Sequence, residues 1–72
     1  MKPPKLTSVE SSNIDAMGHS KDGLFVRFKG GGLYRYPECP KTVYDEGLKA
    51  ESVGKWFRSE IVGTYKHSQI DG

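Results

Sequence analysis

The sequence predicts a small α+β domain: an antiparallel β-meander of about three strands, followed by two short α-helices packed on one face. Two observations predict the sheet, namely apolar alternation over residues 14–36 and turn segments containing glycine at residues 20–23 and 30–32. One observation predicts the helices, because the spacing of apolar residues becomes helical after Pro40.

Three segments supply the predicted strands. Residues 14–18 alternate weakly, with Ile14 and Ala16 on one face. Residues 33–36 form a strand that Pro37 ends, because proline removes a backbone donor. Residues 24–29 alternate most clearly, with Leu24, Val26 and Phe28 on one face and Phe25, Arg27 and Lys29 on the other.

The register of the glycine hairpin decides which face carries Tyr34 and Tyr36. A two-residue loop places Arg27 opposite Tyr34, and both tyrosines then share the face of Arg27. A three-residue loop places Phe28 opposite Tyr34, and the tyrosines then join the core. The difference is complete because a shift of one residue moves every side chain to the other face. The sequence leaves both registers open.

Helix signals occupy the second half of the chain. Pro40 suits the first turn of a helix, where its missing N–H costs nothing. Ser52 is a favourable N-cap for the second helix, which we expect to end near Gly63. The predicted apolar faces are Val43, Tyr44 and Leu48 in the first helix, and Val53, Trp56, Phe57 and Ile61 in the second.

Length and composition limit the chain to one domain. Its 72 residues are 35% hydrophobic, which allows only a small core, and its single cysteine excludes an internal disulfide. We predict a flexible arm at residues 1–7, one domain at 8–65 and a flexible tail at 66–72. No apolar run is long enough to span a membrane and no secretory signal is recognisable, so we expect a cytoplasmic protein.

Catalytic chemistry has little support in the sequence. His19 and His67 are far apart along the chain, and Cys39 has no histidine partner in register. No Cys, His or Asp spacing is typical of a metal site, and the Gly30–Gly32 run precedes a strand rather than a helix. We therefore predict that the chain is not an enzyme and needs no cofactor.

The ordered series of motifs resembles the KTSC domain, a family named for the C-terminal extension of some lysyl-tRNA synthetases and also found as short bacterial and phage proteins. Its hallmark Tyr-x-Tyr is met by Tyr34-Arg35-Tyr36. The resemblance runs from Ser11 to Tyr65, implies the fold, and carries the family's suggested role in RNA binding. The other matching positions are Ser11-Ser12-Asn13-Ile14, Leu24, Val26, Phe28, Gly31, Val43-Tyr44, Leu48, Ser52, Gly54 and Trp56-Phe57.

The leading hypothesis is a non-enzymatic binding module for RNA or another nucleotide-bearing ligand. Aromatic rings on the hairpin would stack unpaired bases, and the basic residues between them would neutralise phosphate. The alternative is that the tyrosines complete the small core and keep only their hydroxyls wet. The candidate ligand-binding residues are Phe25, Tyr34 and Tyr36 for stacking, and Arg27, Lys29 and Arg35 for phosphate.

The competing hypothesis is a protein–protein interaction module of phage or prophage type that regulates or inhibits a host protein. Its motivation is the small size and the weak net charge of +2, which is low for a nucleic-acid footprint. Trp56 at the edge of the second helix and the neighbouring Arg58 are the candidate interface residues. Whether the chain is a monomer or a dimer is left open.

Overall fold

The computed structural model describes residues 3–71 and contains one five-stranded antiparallel sheet with two short helices. Residues 1 and 2 of the predicted arm and residue 72 of the predicted tail lie outside the described residues. The strands are β1 (Thr7–Ser8), β2 (Ile14–Ser20), β3 (Gly23–Phe28), β4 (Leu33–Tyr36) and β5 (Ser68–Asp71). The helices are α1 (Lys41–Lys49) and α2 (Val53–Trp56), which continues as a π-helical turn (Phe57–Ile61).

The predicted α+β class is confirmed, with five strands in the meander rather than three. Strands follow one another in the sheet in chain order, from β1 at one edge to β5 at the other. Of the two additional strands, β5 lies in the segment predicted as a tail, and β1 crosses the predicted boundary between the arm and the domain. They have only two and four residues, so they carry too little alternation to be recognised in the sequence.

A bulge in β2 changes the face predicted for its first residues. The pairing shifts between Ile14, which lies opposite Phe28, and Ala16, which lies opposite Arg27. The extra residue reverses the alternation. Ile14 therefore joins Met17 in the core under the helices, whereas Ala16 lies on the opposite face of the sheet.

The observed hairpin pairs Val26 with Tyr34 and Leu24 with Tyr36. Side chains of directly opposed residues lie on the same face, so both tyrosines share the face of Leu24 and Val26. The two-residue loop is therefore wrong. The three-residue alternative assigns the tyrosines to the correct face, although its pairing of Phe28 with Tyr34 differs from the observed register by two residues.

The turn geometry explains this register. The N–H of Phe28 donates to the Gly32 carbonyl at 3.2 Å, and the N–H of Gly31 donates to the Phe28 carbonyl at 3.0 Å. Gly31 and Gly32 have φ angles of +100° and +94°, a region that side chains with a Cβ rarely occupy. Two consecutive glycines are thus needed to bring β4 back in this register.

The core lies between the sheet and the helices. Ser52 accepts a hydrogen bond from the Lys55 N–H at 3.2 Å, which confirms the predicted N-cap of α2. In α1, Leu48 is 41% exposed rather than buried, because Gly47 faces the indole of Trp56 instead. The buried cluster comprises Ile14, Met17, Leu24, Val26, Tyr36, Cys39, Tyr44, Val53, Trp56, Phe57 and Ile61.

The N-terminal segment covers part of the opposite face of the sheet. Phe25 on this face is 0% exposed, and it lies opposite Gly18 of β2. A Cβ at Gly18 would meet the Lys5 carbonyl oxygen at 2.8 Å and the Leu6 side chain at 3.0 Å. The segment therefore lies directly on Gly18, next to the buried ring of Phe25. Within residues 3–71, no helix is both long and apolar enough to cross a membrane.

Candidate functional site

A cleft of about 350 Å³ opens on the helix side of the sheet. It lies where the β3–β4 hairpin, the end of the second helix and the start of β5 meet. Its volume falls at the lower end of the range for small-molecule sites, and so it suits one compact chemical group rather than a long chain. The lining residues are Phe28, Gly31, Tyr34, Tyr36, Phe57, Val62 and His67.

Five of the lining side chains are aromatic and form a closed circuit of rings. The ring centroids of Phe28 and Tyr34 are 5.4 Å apart. The His67 centroid lies 5.5 Å from that of Tyr34 and 5.4 Å from that of Tyr36. The circuit closes through Phe57, at 5.7 Å from Tyr36 and 5.5 Å from Phe28. Every ring thus contacts two neighbours within the distance at which aromatic pairs attract one another.

The angles between the rings divide the circuit into a fixed part and an open part. The three contacts among Phe28, Tyr34, Phe57 and Tyr36 are edge-to-face, with interplanar angles of 76° to 84°. The contacts of His67 are tilted instead, at 60° and 39°. Edge-to-face packing holds four rings in place, whereas His67 lies against two tyrosines from the solvent side.

Exposure increases from the floor of the cleft to its rim. Tyr36 is 4% exposed and Phe57 is also buried, whereas Phe28 and Tyr34 are half-buried. At the rim, His67 is exposed and Val62 is 54% exposed. A ligand entering the cleft would therefore first meet accessible aromatic and apolar surface, with buried rings behind it.

Tyr36 remains a hydrogen-bond donor over the neutral pH range. Burial, with a smaller contribution from the nearby Tyr34, raises the pKa of its phenol from 10.0 to about 12. The neutral hydroxyl is favoured because a phenolate would lose its hydration in this setting. The cleft therefore combines aromatic faces with at least one phenol that keeps its proton.

The six predicted ligand-binding residues are divided between the two faces of the sheet. Tyr34 and Tyr36 line the cleft, and Lys29 is exposed in the hairpin loop. Phe25 and Arg35 pair with each other on the opposite face, and Arg27 pairs with Leu33 there. The predicted surface of adjoining aromatic and arginine side chains does not form, because neighbouring residues of a strand point in opposite directions.

Two of the residues predicted to contact ligand, Phe25 and Arg35, contact other parts of the domain instead. The fully buried Phe25 ring offers no face to a base. The Arg35 Nε donates to the Asp22 carbonyl oxygen at 2.7 Å, which ties β4 to the β2–β3 turn. Of the three predicted phosphate-binding residues, Lys29 alone lies near the cleft, next to Phe28 in the chain.

Phe28, Phe57 and His67 line the cleft although the sequence did not predict them as members of the site. Alternation and helical spacing placed both phenylalanines in the core, and neither pattern distinguishes a core residue at the edge of a cleft from one at its centre. His67 lies in the segment predicted as a tail, where no periodicity indicated a strand. The pairing of β4 with β5 is the long-range contact that brings it to the tyrosines.

The two predicted interface residues, Trp56 and Arg58, also differ in their surroundings. Trp56 is 7% exposed and packs on Gly47, so its predicted position at an accessible edge is wrong. Its Nε1 atom is buried and finds no hydrogen-bond partner among the described residues. Arg58 is exposed, as an interface residue would need to be.

Cys39 and His19 lie together, away from the cleft. Burial raises the pKa of the Cys39 thiol from 9.0 to about 11, which opposes formation of a nucleophilic thiolate. The Nε2 of His19 donates to the Cys39 carbonyl oxygen at 2.7 Å, and its ring stacks on Tyr44 at 5.8 Å. Across residues 3–71, no three His, Cys, Asp or Glu side chains gather to hold a metal.

The fold and the cleft define a small α+β domain with an aromatic site on the helix side of an antiparallel meander. The family model of the KTSC domain matches residues 10–65, and the chain belongs to that family. Of the residues that line the cleft, only His67 lies outside the matched range.

Relatives and a solved structure agree with this assignment. A protein of Tsukamurella paurometabola is 46% identical over 55 residues, which cover 74% of this chain and 82% of the relative. An uncharacterized protein of Stutzerimonas stutzeri is 31% identical over 70 residues, covering 93% and 99%. The crystal structure of a KTSC domain protein from Yersinia pestis has a TM-score of 0.86 at 28% identity, covering 93% of this chain and 97% of that one.

Proposed function

We propose that the chain is a non-catalytic binding module that accepts an unstacked base of RNA, or of another nucleotide-bearing ligand, in its aromatic cleft. The observation that carries this proposal is the closed circuit of five rings around a cleft of about 350 Å³. Base–aromatic stacking contributes about 1–3 kcal/mol per base and tolerates any sequence, since every base has a π-face.

The accessible rings support stacking rather than burial of an aliphatic group. Tyr34 and His67 present partly exposed aromatic surface at the rim, and Val62 adds apolar contact beside them. Imidazole and phenol groups also offer hydrogen-bonding atoms to the edge of a base, which a wall of phenylalanine alone would not.

Cations next to the lining residues take the phosphate-binding role that the sequence had suggested for Arg27 and Arg35. Lys29 follows Phe28, Arg58 follows Phe57 and Lys66 precedes His67, and all three cations are exposed. None lies inside a strand, so adjacency in the chain does not place them on the opposite face as it does for Arg35. In the part of the chain that the structure describes, the one ion pair joins Lys41 and Asp45 at 3.3 Å, which leaves these cations available for phosphate.

A binding role also agrees with the state of the candidate catalytic groups. The Cys39 thiol is buried with a raised pKa, and the His19 ring nitrogen is engaged by a backbone carbonyl. Neither lines the aromatic cleft.

The test is binding of fluorescein-labelled eight-nucleotide oligoadenylate and oligouridylate, followed by fluorescence anisotropy. Tyr34→Leu and His67→Leu each remove a ring and keep apolar contact, and we expect each to weaken binding about tenfold. Arg27→Ala, on the opposite face, is the matched control and should stay within about twofold of the parent chain. Equal losses in all three variants, or none in the ring variants, would reject the cleft as the site.

Salt dependence tests the phosphate contacts separately. Lys29→Ala combined with Lys66→Ala should reduce the slope of log affinity against log salt by about 1.4, as each phosphate contact on a single strand contributes about 0.7. Circular dichroism of every variant would show that the fold is retained. An unchanged slope would exclude these two lysines as phosphate ligands.

A protein partner is the competing function, and the exposed Val62 and Arg58 beside the cleft favour it. A pull-down from bacterial lysate with and without nuclease separates the two classes. Nucleic acid that disappears with nuclease supports the proposal, whereas a stoichiometric protein that survives nuclease and is lost in Arg58→Ala supports the phage- or prophage-type interaction module.

A further inference from the structure

A second groove, of about 390 Å³, lies at the β1 edge of the sheet. One wall is the chain from Thr7 to Glu10, and the other is formed where α1 ends and α2 begins. It shares no lining residue with the aromatic cleft, so it is a separate surface. Residues of the second wall are Leu48, Ala50, Glu51 and Val53.

The strand wall of this groove has backbone groups free to pair. β1 is the first strand in the sheet order and, in the part of the chain that the structure describes, pairs with β2 only. The N–H of Val9 donates to the Asp15 carbonyl at 3.2 Å, which shows that Val9, and alternate residues before it, direct their backbone groups toward β2. Donors and acceptors alternate in direction along an antiparallel strand, so the N–H and carbonyl of Ser8 point away from β2, toward the groove. An edge of this kind accepts an additional strand.

The side chains of the groove indicate the kind of ligand that it would bind. Leu48 is one of the exposed large hydrophobic residues and offers an apolar contact. Glu10 and Glu51 are exposed, and neither takes part in an ion pair among residues 3–71. The chain as a whole carries a net charge of +2, so two unpaired carboxylates on one groove mark it as locally acidic.

We propose that this groove binds an extended segment of a partner protein in which basic and apolar residues alternate. The segment adds a strand to β1 through the backbone groups of Ser8. Alternate side chains of an added strand point in opposite directions, so its apolar residues contact Leu48 on the helix side while its basic residues, on the other face, reach Glu10. The strand wall has four residues and spans about 13 Å, which sets the length of the contact.

Amide chemical-shift mapping with a defined probe tests this proposal. The probe is an acetylated hexapeptide amide in which lysine and valine alternate, and its matched control has glutamate in place of lysine. We expect saturable shifts of the Ser8, Glu10 and Leu48 amides with the lysine peptide and none with the glutamate peptide. Absence of saturable shifts at millimolar peptide, or shifts confined to Tyr34 and His67, would overturn the assignment.

Variants then separate the contribution of the carboxylate charge from that of the backbone N–H of Ser8. Glu10→Lys should weaken binding of the lysine peptide about fivefold, whereas Glu60→Lys makes the same change outside the groove and should leave it within about twofold. Ser8→Pro removes an N–H that the β1–β2 ladder does not use, so it should abolish peptide binding while the chain stays folded.

Light scattering decides between a partner and a second copy. A monomer that binds the peptide supports the proposal. A dimer that dissociates in Ser8→Pro overturns it, because the edge would then be occupied by another copy of this chain.

Discussion

The two faces of the sheet bury apolar side chains in different ways. The helix face is closed by α1, by α2 and its π-helical continuation, and it leaves a cleft open where the hairpin and β5 meet. Among residues 3–71 no helix packs on the opposite face, and Phe25 is nevertheless fully buried beside the N-terminal segment that lies on Gly18. Both faces of one strand are therefore core, and only one of them retains an aromatic surface that a ligand could reach.

The largest expected effect concerns Phe25 on the opposite face of the sheet. Phe25→Ala should lower the free energy of unfolding by about 4 kcal/mol, since the ring is completely buried. Phe25→Leu, which keeps much of the volume, should cost about 1 kcal/mol. Urea denaturation followed by circular dichroism measures both. A loss below 1 kcal/mol for Phe25→Ala would mean that this face is not a second core.

The next effect concerns the helix face, at Gly47. A Cβ at this position would lie 2.5 Å from the Trp56 ring, so Gly47→Val should destabilise the fold by about 3 kcal/mol. Gly30→Val is the matched control, because nothing lies within 4 Å of a Cβ there. If both variants unfold at the same urea concentration, the indole does not need the close approach to α1.

Alkaline pH should destabilise the domain through two buried groups of the helix face, Cys39 and Tyr36. Folding raises the pKa of Cys39 from 9.0 to about 11 and that of Tyr36 from 10.0 to about 12. A raised pKa means that the folded state holds the proton more tightly, so stability is complete below the unfolded pKa and is lost as the pH rises through the folded pKa.

We therefore expect the free energy of unfolding to fall by on the order of 2 kcal/mol between pH 9 and about pH 10.5, and to continue falling above that pH. Urea titrations at several pH values measure this decline. Cys39→Ala should remove the part of the decline that begins at pH 9 and keep the part due to Tyr36. An identical pH profile in this variant would contradict the assignment to the thiol.

The smallest effect distinguishes the two arginines of the opposite face. Arg35→Gln should cost about 1 kcal/mol, because it removes the 2.7 Å hydrogen bond to the Asp22 carbonyl. Arg27→Gln, at an exposed position, should be close to neutral. Thermal unfolding midpoints of the two variants would show this, and a larger loss for Arg27 would reverse the assignment.

Much of the fold was predictable because it follows local rules. Alternation predicted β3, Pro37 ended β4, Ser52 capped α2, and the apolar face of α2 is buried as expected. The bulge after Ile14 and the exposure of Leu48 were not predictable in this way. Each depends on a non-local fit, the first on the pairing of β2 with β3 and the second on an indole that lies against Gly47.

The site was predictable only in part for the same reason. Tyr-x-Tyr indicated two of its rings, but strand alternation separates these rings from Arg27 and Arg35 once the register is known. Phe57 comes from a π-helical turn and His67 from the approach to the last strand. No single segment of sequence contains the circuit, because four separate parts of the chain contribute to it.

The position of His67 has a consequence for how such a pocket can vary. Four of its rings belong to the scaffold and help to hold the domain together, so a change in any of them alters stability as well as the shape of the cleft. The fifth is contributed from outside that scaffold, close to the C-terminal strand, and packs from the solvent side. The shape and chemistry of the rim can therefore change through the residues around His67 while the rest of the architecture is left as it is.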